Sequence, residues 1–437
     1  MIWKLVWAIV IVSVFMSACE PKDGFELSKS EEALAGVPLD GFPNYQERLM
    51  LTAINRARSD PNNVLLSTAG ECSDDRSAQK PMMHSHKAAR AARFHSACLQ
   101  KNGGGLSHDA YCTLKPDIAE TNCDGALECA CEPGSQHFNC EEMGGQGTSP
   151  WRRCAYFGFG ATGEVGAAGY ADGWQTVIGW MTECAPHDGH RKMLSSKNMG
   201  RIGLGYHGGS GGCFDTFYFG ELTSGGAIYC LPAGVHYPET GTEIDFYLNY
   251  YHLEGAPQSV ELVLDGDCHS MQREIGTPGN AIYKLSLTIE PGCHEYWFLV
   301  FDAAGLRYVY PETGSWGVGD CSGYNLSLTS ASCETCQADQ QRPCGPDRGA
   351  CQAGTQDCVD GLWAACQGGI GPAQEICEDS IDNNCDGNTD EDCPGQYSDF
   401  GCLCGPEHGA RPLNVAFVVG LLLIAIRKGR RSKPGRH

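Results

Sequence analysis

Cysteine restricts this chain more than any other residue type: 26 of its 437 positions carry one, and they run through the whole sequence instead of clustering at one zinc spacing. Thiols so numerous and so spread predict a disulfide framework made in an oxidising compartment, not the metal site of a cytosolic enzyme. The length exceeds what one hydrophobic core usually organises, so several modules are expected. A formal net charge of -22 argues against nucleic acid or anionic lipid as a partner and favours cations or basic surfaces.

Residues 1–19 combine Lys4, an apolar run over 5–16 and the ending Met16-Ser17-Ala18-Cys19. The run is shorter than the roughly 20 residues that a spanning helix needs, so a secretion signal is expected. Its ending resembles a lipoprotein signal, which implies lipidation of Cys19; ordinary cleavage nearby is the alternative. Residues 20–40 are polar and small, as in a tether. Residues 401–437 hold Cys402-Leu403-Cys404, Pro412, an apolar stretch over 413–426 and the basic tail Arg427-Lys428-Gly429-Arg430-Arg431. They resemble a Myxo-type C-terminal sorting signal, with a plain tail anchor as the alternative. The two ends lead to the expectation of an exported protein, lipid- or tail-anchored at the outer membrane or cell surface.

Between the ends, the periodicity changes twice. Asn44 and Glu47 form a capping pair, and Tyr45, Leu49, Ala53, Ile54 and Ala57 recur at helical spacing until Ser59-Asp60-Pro61. A second helix is expected with Ala88, Ala91, Ala92, His95 and Leu99 on one face. A third is expected from Asp172, with Gln175 three residues on and Val177, Trp180, Met181 and Cys184 along one stripe. Short Gly-bounded aromatic runs at 201–206 and 214–222 read as strands, giving an α+β layered domain over 41–232. From 235 to 325 the helical period gives way to alternation, as in Ile244, Phe246, Leu248, Tyr250 and in Tyr283, Leu285, Leu287, Ile289. That pattern predicts an all-β sandwich of immunoglobulin-like or fibronectin-like type, with hairpins at Asp265-Gly266 and Asp302-Ala303-Ala304-Gly305 and a staple between Cys268 and Cys293. Residues 333–394 hold nine cysteines and little apolar material, so a small module stapled by disulfides or metal is expected, with one odd cysteine crossing to another module or staying free.

Chemistry concentrates in the first domain. In order along the chain stand Asn55-Arg56, a helix ending at Cys98-Leu99, Leu106-Ser107-His108, Gly163-Glu164-Val165, Trp180-Met181-Thr182-Glu183, Gly189-His190-Arg191 and Ile202-Gly203-Leu204-Gly205. This series resembles the CAP superfamily (SCP/PR-1-like: cysteine-rich secretory proteins, antigen 5, pathogenesis-related 1) over roughly residues 43–231. The resemblance implies a three-layer α-β-α sandwich, secretion, and a tetrad of His108, Glu164, Glu183 and His190. Two departures are Val165 in place of Asn and a Cys-rich insertion over 112–154. Two imidazoles suit Zn²⁺ or a similar ion, and two carboxylates can ligate it, orient the imidazoles or activate a bound water. Alternatively the four form a hydrogen-bonded network that holds a loop-rich cleft. His187 is a further candidate ligand; His84, His86, His95 and His137 read as surface or packing residues. No nucleophile is evident, since Cys184 is expected in a disulfide.

In the stapled module, Asp382, Asn384, Asp386 and Asp390 place oxygens at the alternating positions of a calcium loop, with Gly387 at the turn. Position twelve is Cys393, so Glu391, Asp392 or backbone would complete a site; a solvated acidic turn is the alternative. Residues 372–393 resemble the Cys-rich metal-binding repeat of the MopE type, but no His or Met stands beside these oxygens to favour copper. Three functions fit. The first is a non-enzymatic surface module binding a cation, Zn²⁺ in the CAP cleft or Ca²⁺ in the stapled module, together with a lipid, glycan or protein. The second is a metal-assisted hydrolase in which His108 and His190 hold the ion and Glu164 or Glu183 activates water. The third is a structural envelope spacer.

Overall fold

A computed structural model describes residues 43–64, 77–102, 105–109, 149–209, 214–225, 230–311, 314–321, 324–325, 331–345, 347–364 and 366–371, and single positions or short pieces between 376 and 389. The expected signal, tether and sorting tail, His137 and most of the 112–154 insertion lie outside the described residues. Helix α1 (Tyr45–Ser59) begins at a capping box: Asn44 Oδ1 accepts from Glu47 N–H at 3.0 Å, and Glu47 Oε2 accepts from Asn44 N–H at 3.0 Å. Pro61 cannot continue the ladder and instead opens the single turn α2 (Pro61–Val64). Then come β1 (Met83–His84), α3 (His86–Asn102), α4 (Pro150–Tyr156), β2 (Gly163–Ala168), α5 (Gly173–Met181), α6 (Gly189–Leu194), β3 (Met199–Gly208) and β4 (Thr216–Ser224).

These four strands form one sheet in the order β1-β3-β4-β2, with β1 parallel to β3 and the remaining pairs antiparallel. Strand alternation divides its side chains between two faces. Phe217 and Phe219 pack with Ala92 and Leu99 of α3, while Ile202, Leu204, Tyr218 and Val165 pack with Met50, Ile54, Val177 and Trp180 of α1 and α5. Helices therefore cover both faces. Gly203 and Gly205 explain how α3 lies so close: a Cβ on either would overlap the helix backbone at Ala88 to Arg93, and Ser96 Oγ donates to Gly205 O at 3.0 Å. Helix α5 starts at Asp172, whose side chain accepts from Gln175 N–H at 2.8 Å, but it stops before Cys184. Thr182 donates its hydroxyl to Ile178 O at 2.8 Å, and Pro186 follows without an N–H, so Cys184 lies beyond the buried stripe expected to include it.

The alternating segment folds into two sheets. One contains β5 (Ala233–Tyr237), β6 (Glu243–Tyr251), β9 (Gln272–Thr277) and β10 (Asn280–Thr288); the other contains β7 (Ser259–Leu264), β8 (Asp267–Ser270), β11 (Cys293–Phe301), β12 (Arg307–Tyr310), β13 (Ser315–Gly319) and β14 (Tyr324–Asn325). Ile244, Phe246, Leu248 and Tyr250 share a core with Leu262, Phe298, Val300 and Trp316 of the second sheet. Asp265 and Gly266, at φ 50° and 91°, make the two-residue hairpin between β7 and β8. Asp302 Oδ1 accepts from Ala304 and Leu306 N–H at 2.8 Å in the hairpin between β11 and β12.

The disulfides correct one expectation. Cys268 is bonded to Cys333, and Cys293 to Cys321. Cys268 lies on β8 and Cys293 on β11, with β7 between them. Two strand spacings of about 4.8 Å exceed the roughly 7 Å that a disulfide can reach between Cα atoms. Among the described residues, Cys333 is thus the cysteine of the stapled module that crosses to another module. The described part of that module contains a small sheet of β15 (Gln341–Cys344), β16 (Gly354–Val359) and β17 (Leu362–Trp363), closed by Cys336–Cys358, Cys344–Cys366 and Cys351–Cys385.

All described residues belong to one compact unit. Helix α1 is buried on two sides because it also packs on the pair of sheets built by β5 to β14: the Arg48 guanidinium lies 3.5 Å from the Trp316 ring centroid, and Tyr45 donates to His236 O at 3.1 Å. Nearer its C-terminus, Arg56 makes a bidentate pair with Glu274, both contacts at 2.9 Å. Among the described residues no helix is long and apolar enough to cross a membrane.

Candidate functional site

The four residues expected as a tetrad form two imidazole–carboxylate pairs. His108 Nδ1 lies 2.5 Å from Glu164 Oε1, and His190 Nδ1 lies 2.5 Å from Glu183 Oε1. Neither ring's second nitrogen has a hydrogen-bond partner among the described residues. Each carboxylate therefore fixes one nitrogen and leaves Nε2 as the available donor atom, the arrangement by which an outer carboxylate orients a metal-binding imidazole.

The first pair rests on a buried ionic cluster. Glu164 is on β2 and stands in register with Glu221 on β4. Arg153, fully buried on α4, bonds to both: its Nη2 contacts Glu164 Oε2 and lies 3.0 Å from Glu221 Oε1, and its Nε donates to the same Glu221 oxygen at 3.2 Å. Arg153 Nη1 also donates to His108 O at 3.3 Å, so one guanidinium ties the His108 loop to two strands. From the other side, His95 Nε2 meets Ser107 O at 2.8 Å. A carbonyl only accepts, so Nε2 carries the proton of that ring, which burial keeps neutral by lowering its pKa. Burial and then the Arg153 charge likewise lower the His108 pKa, favouring a neutral imidazole with a lone pair to offer. Burial, then Glu164, holds the Glu221 carboxyl well above its ordinary value, and burial also raises Glu164 against the pull of Arg153.

The second pair organises a helix start. Glu183 Oε2 accepts from the backbone N–H of His190 at 3.1 Å, satisfying one of the unpaired donors of α6, and Arg191 Nε donates back to Glu183 O at 2.6 Å. The loop closes on Asp188, which pairs with Arg191 at 2.8 Å and Lys192 at 2.9 Å. Cys184 is disulfide-bonded, as expected.

Both pairs are anchored to the start of edge strand β2. Trp180 donates its indole N–H to Gly166 O at 3.0 Å, and its ring centroid lies 6.1 Å from that of His190. Met193, one turn after His190, packs where a Cβ on Gly163 would be. Glu164 is on the α3 face of the strand, whereas Gly163 and Val165 face α5 and α6, so the pairs approach one strand from different sides. Among the described residues, no three of His, Cys, Asp and Glu stand close enough together to ligate one ion.

His187 is exposed and outside both pairs, whereas His84, His86 and His95 are buried. Asn55, the other polar residue of the opening motif, clamps Met82 through its N–H and C=O at 2.7 and 2.9 Å. Arg153 and Glu221 did not emerge from the sequence pattern. The available signal was Glu221 itself, a lone charge among Phe217, Tyr218, Phe219 and Leu222 in a strand otherwise apolar. Of the calcium-like positions, Asp382 is buried and its C=O accepts from Ala350 N–H at 2.7 Å; Asn384, Asp386 and Asp390 lie outside the described residues.

No protein-family model matches the chain, and no curated protein matches it. Among solved structures, it is similar to the type III pullulan hydrolase from Thermococcus kodakarensis with 13% identity and a TM-score of 0.15, over 20% of this chain and 13% of that one. A likeness of that extent carries no argument about fold or activity.

Proposed function

We propose that the chain is an exported cell-surface binding module of CAP type, in which His108 and His190 offer Nε2 to a cation such as Zn²⁺ while Glu164 and Glu183 orient the rings. On this reading, residues 41–232 are the CAP sandwich, 235–325 an immunoglobulin-like companion and 333–394 a metal-binding repeat with Ca²⁺ near Asp382. Anchoring would come from lipid at Cys19 or from the tail. The observation that carries it is the pairing of each Nδ1 with a carboxylate, a tautomer choice that suits metal-binding imidazoles. Imidazole nitrogen is an apt donor for Zn²⁺, so the donor chemistry fits. With one or two imidazole nitrogens as the protein's share, a bound ion would keep open positions for a partner's own oxygen or nitrogen.

Binding is favoured over hydrolysis because both oxygens of each carboxylate are engaged. Glu164 is held by His108 and Arg153, and Glu183 by the ring and backbone of His190, so every carboxylate oxygen already serves a protein donor. Calorimetric titration of Zn²⁺ into the oxidised protein spanning 41–394, beside the His108→Ala/His190→Ala variant, tests the reading. The longer span keeps the surface on which α1 packs. A dissociation constant of about 1 μM or below in the parent, lost in the variant, is expected; equal heats from the two proteins would sink the cation site.

A further inference from the structure

A cavity of about 330 Å³ opens beside the C-terminal end of α6, away from the His–Glu contacts, and its walls include Arg58, Lys192, Lys197, Ser195, Ser196 and Asn198. In a chain of net charge -22, the described residues that line it include three cations and no carboxylate. Arg58 is the unusual member. Only 2% exposed, it donates to four backbone carbonyls, Nε to Lys80 O, Nη1 to Leu194 O and Ser196 O, and Nη2 to Met199 O, and pairs with no carboxylate among the described residues. Carbonyls solvate the guanidinium but do not cancel its charge. Burial pushes its pKa down to about 10, so it stays a cation at neutral pH. A guanidinium has five donors, and these contacts use four, leaving one on Nη2.

The same contacts remove an obstacle to an anion. A helix C-terminus exposes unpaired carbonyls and a partial negative charge. Arg58 covers Leu194 O and Ser196 O at the end of α6, so the wall presents cationic and hydroxyl groups instead. Lys197 is exposed and has no ion-pair partner among the described residues, and the Ser196 hydroxyl, which accepts from Asn198 N–H at 3.2 Å, keeps its own proton to donate. Lys192 shares Asp188 with Arg191 and can turn to a ligand without leaving that carboxylate alone. The volume lies at the small end of ligand pockets.

We infer that this cavity is a binding site for a tetrahedral oxyanion group, phosphate or sulfate, held by Lys197, Lys192 and the serine hydroxyls against the buried Arg58 charge. The ligand is either the free anion or the same group carried on a sugar. The test is titration of the oxidised protein with inorganic phosphate, inorganic sulfate, glucose 6-phosphate and glucose 6-sulfate at constant ionic strength, with chloride as the control. Lys192→Ala/Lys197→Ala is the variant, because both side chains are exposed and its near-ultraviolet circular dichroism can be matched to the parent. Saturable binding of an oxyanion that the double variant weakens about tenfold or more is expected, a loss equal to roughly one charge-assisted hydrogen bond. Tighter binding of the sugar esters identifies a phosphorylated or sulfated glycan as the source, and binding of the inorganic ions alone identifies the bare anion. Oxyanions that do no more than chloride, or a correctly folded variant that binds them as the parent does, would overturn the assignment.

Discussion

Glu164 and Glu221 face each other across the β2–β4 ladder, with the buried guanidinium of Arg153 bonded to both. One cation serves two buried acidic side chains, so the cluster holds together only while the cation is present. Arg153→Met is expected to cost about 3–5 kcal/mol, measured by urea denaturation near neutral pH. A cost below about 1 kcal/mol would mean that the carboxylates find other partners.

Glu221 makes stability depend on pH in a direction opposite to that of most carboxylates. Burial, then the neighbouring Glu164, raises its folded-state pKa well above the ordinary value, so the folded protein keeps a proton that the unfolded chain has released. Its contribution is full below the ordinary carboxylate range and is lost as pH climbs toward the raised folded value. In melting curves from about pH 4 to 8, Glu221→Gln should therefore gain on the parent as pH rises, while still accepting from Arg153. Parallel pH profiles for the two proteins would assign the titration elsewhere.

Arg48 couples the first sheet's helix to the pair of sheets built by β5 to β14 through the Trp316 ring. The contact is desolvated, and Arg48 Nη1 also donates to Pro43 O at 2.9 Å. Arg48→Ala is expected to destabilise the protein by about 2 kcal/mol or more. It should also move tryptophan fluorescence to a different midpoint from far-ultraviolet ellipticity. Coincident, unshifted transitions would show that the contact is dispensable.

Cys268–Cys333 closes a loop with a sequence separation of 65 between the pair of sheets and the stapled module. Chain-entropy arguments give such a closure about 4 kcal/mol. Glu334, held by Arg307 at 2.5 Å and Arg342 at 2.8 Å, lies next to it and supports the same junction. Cys268→Ser/Cys333→Ser should release the stapled module to limited proteolysis under oxidising conditions while the sheets on either side of α1 stay protected. Unchanged cleavage would place the hold in Glu334 and its arginines.

Local signals were legible in the sequence because their physics is local. The caps at Asn44 and Asp172, the Asp265-Gly266 hairpin, and the alternation through Ile244, Phe246, Leu248 and Tyr250 each depend on residues within a few positions of one another. The cysteine count likewise announced a disulfide framework without its pairing. His108 with Glu164 and His190 with Glu183 were nameable as candidates, but not as two separate pairs. What tertiary structure alone decided was who meets whom over distance. Arg153 finds Glu221 across 68 positions, Cys268 takes Cys333 because β7 separates it from Cys293, and Arg58 closes the end of α6 from 136 positions away. Those partners are chosen by the cost of leaving a buried charge or carbonyl unpaired and by the spacing of strands in a finished sheet, quantities that do not exist until the chain has packed.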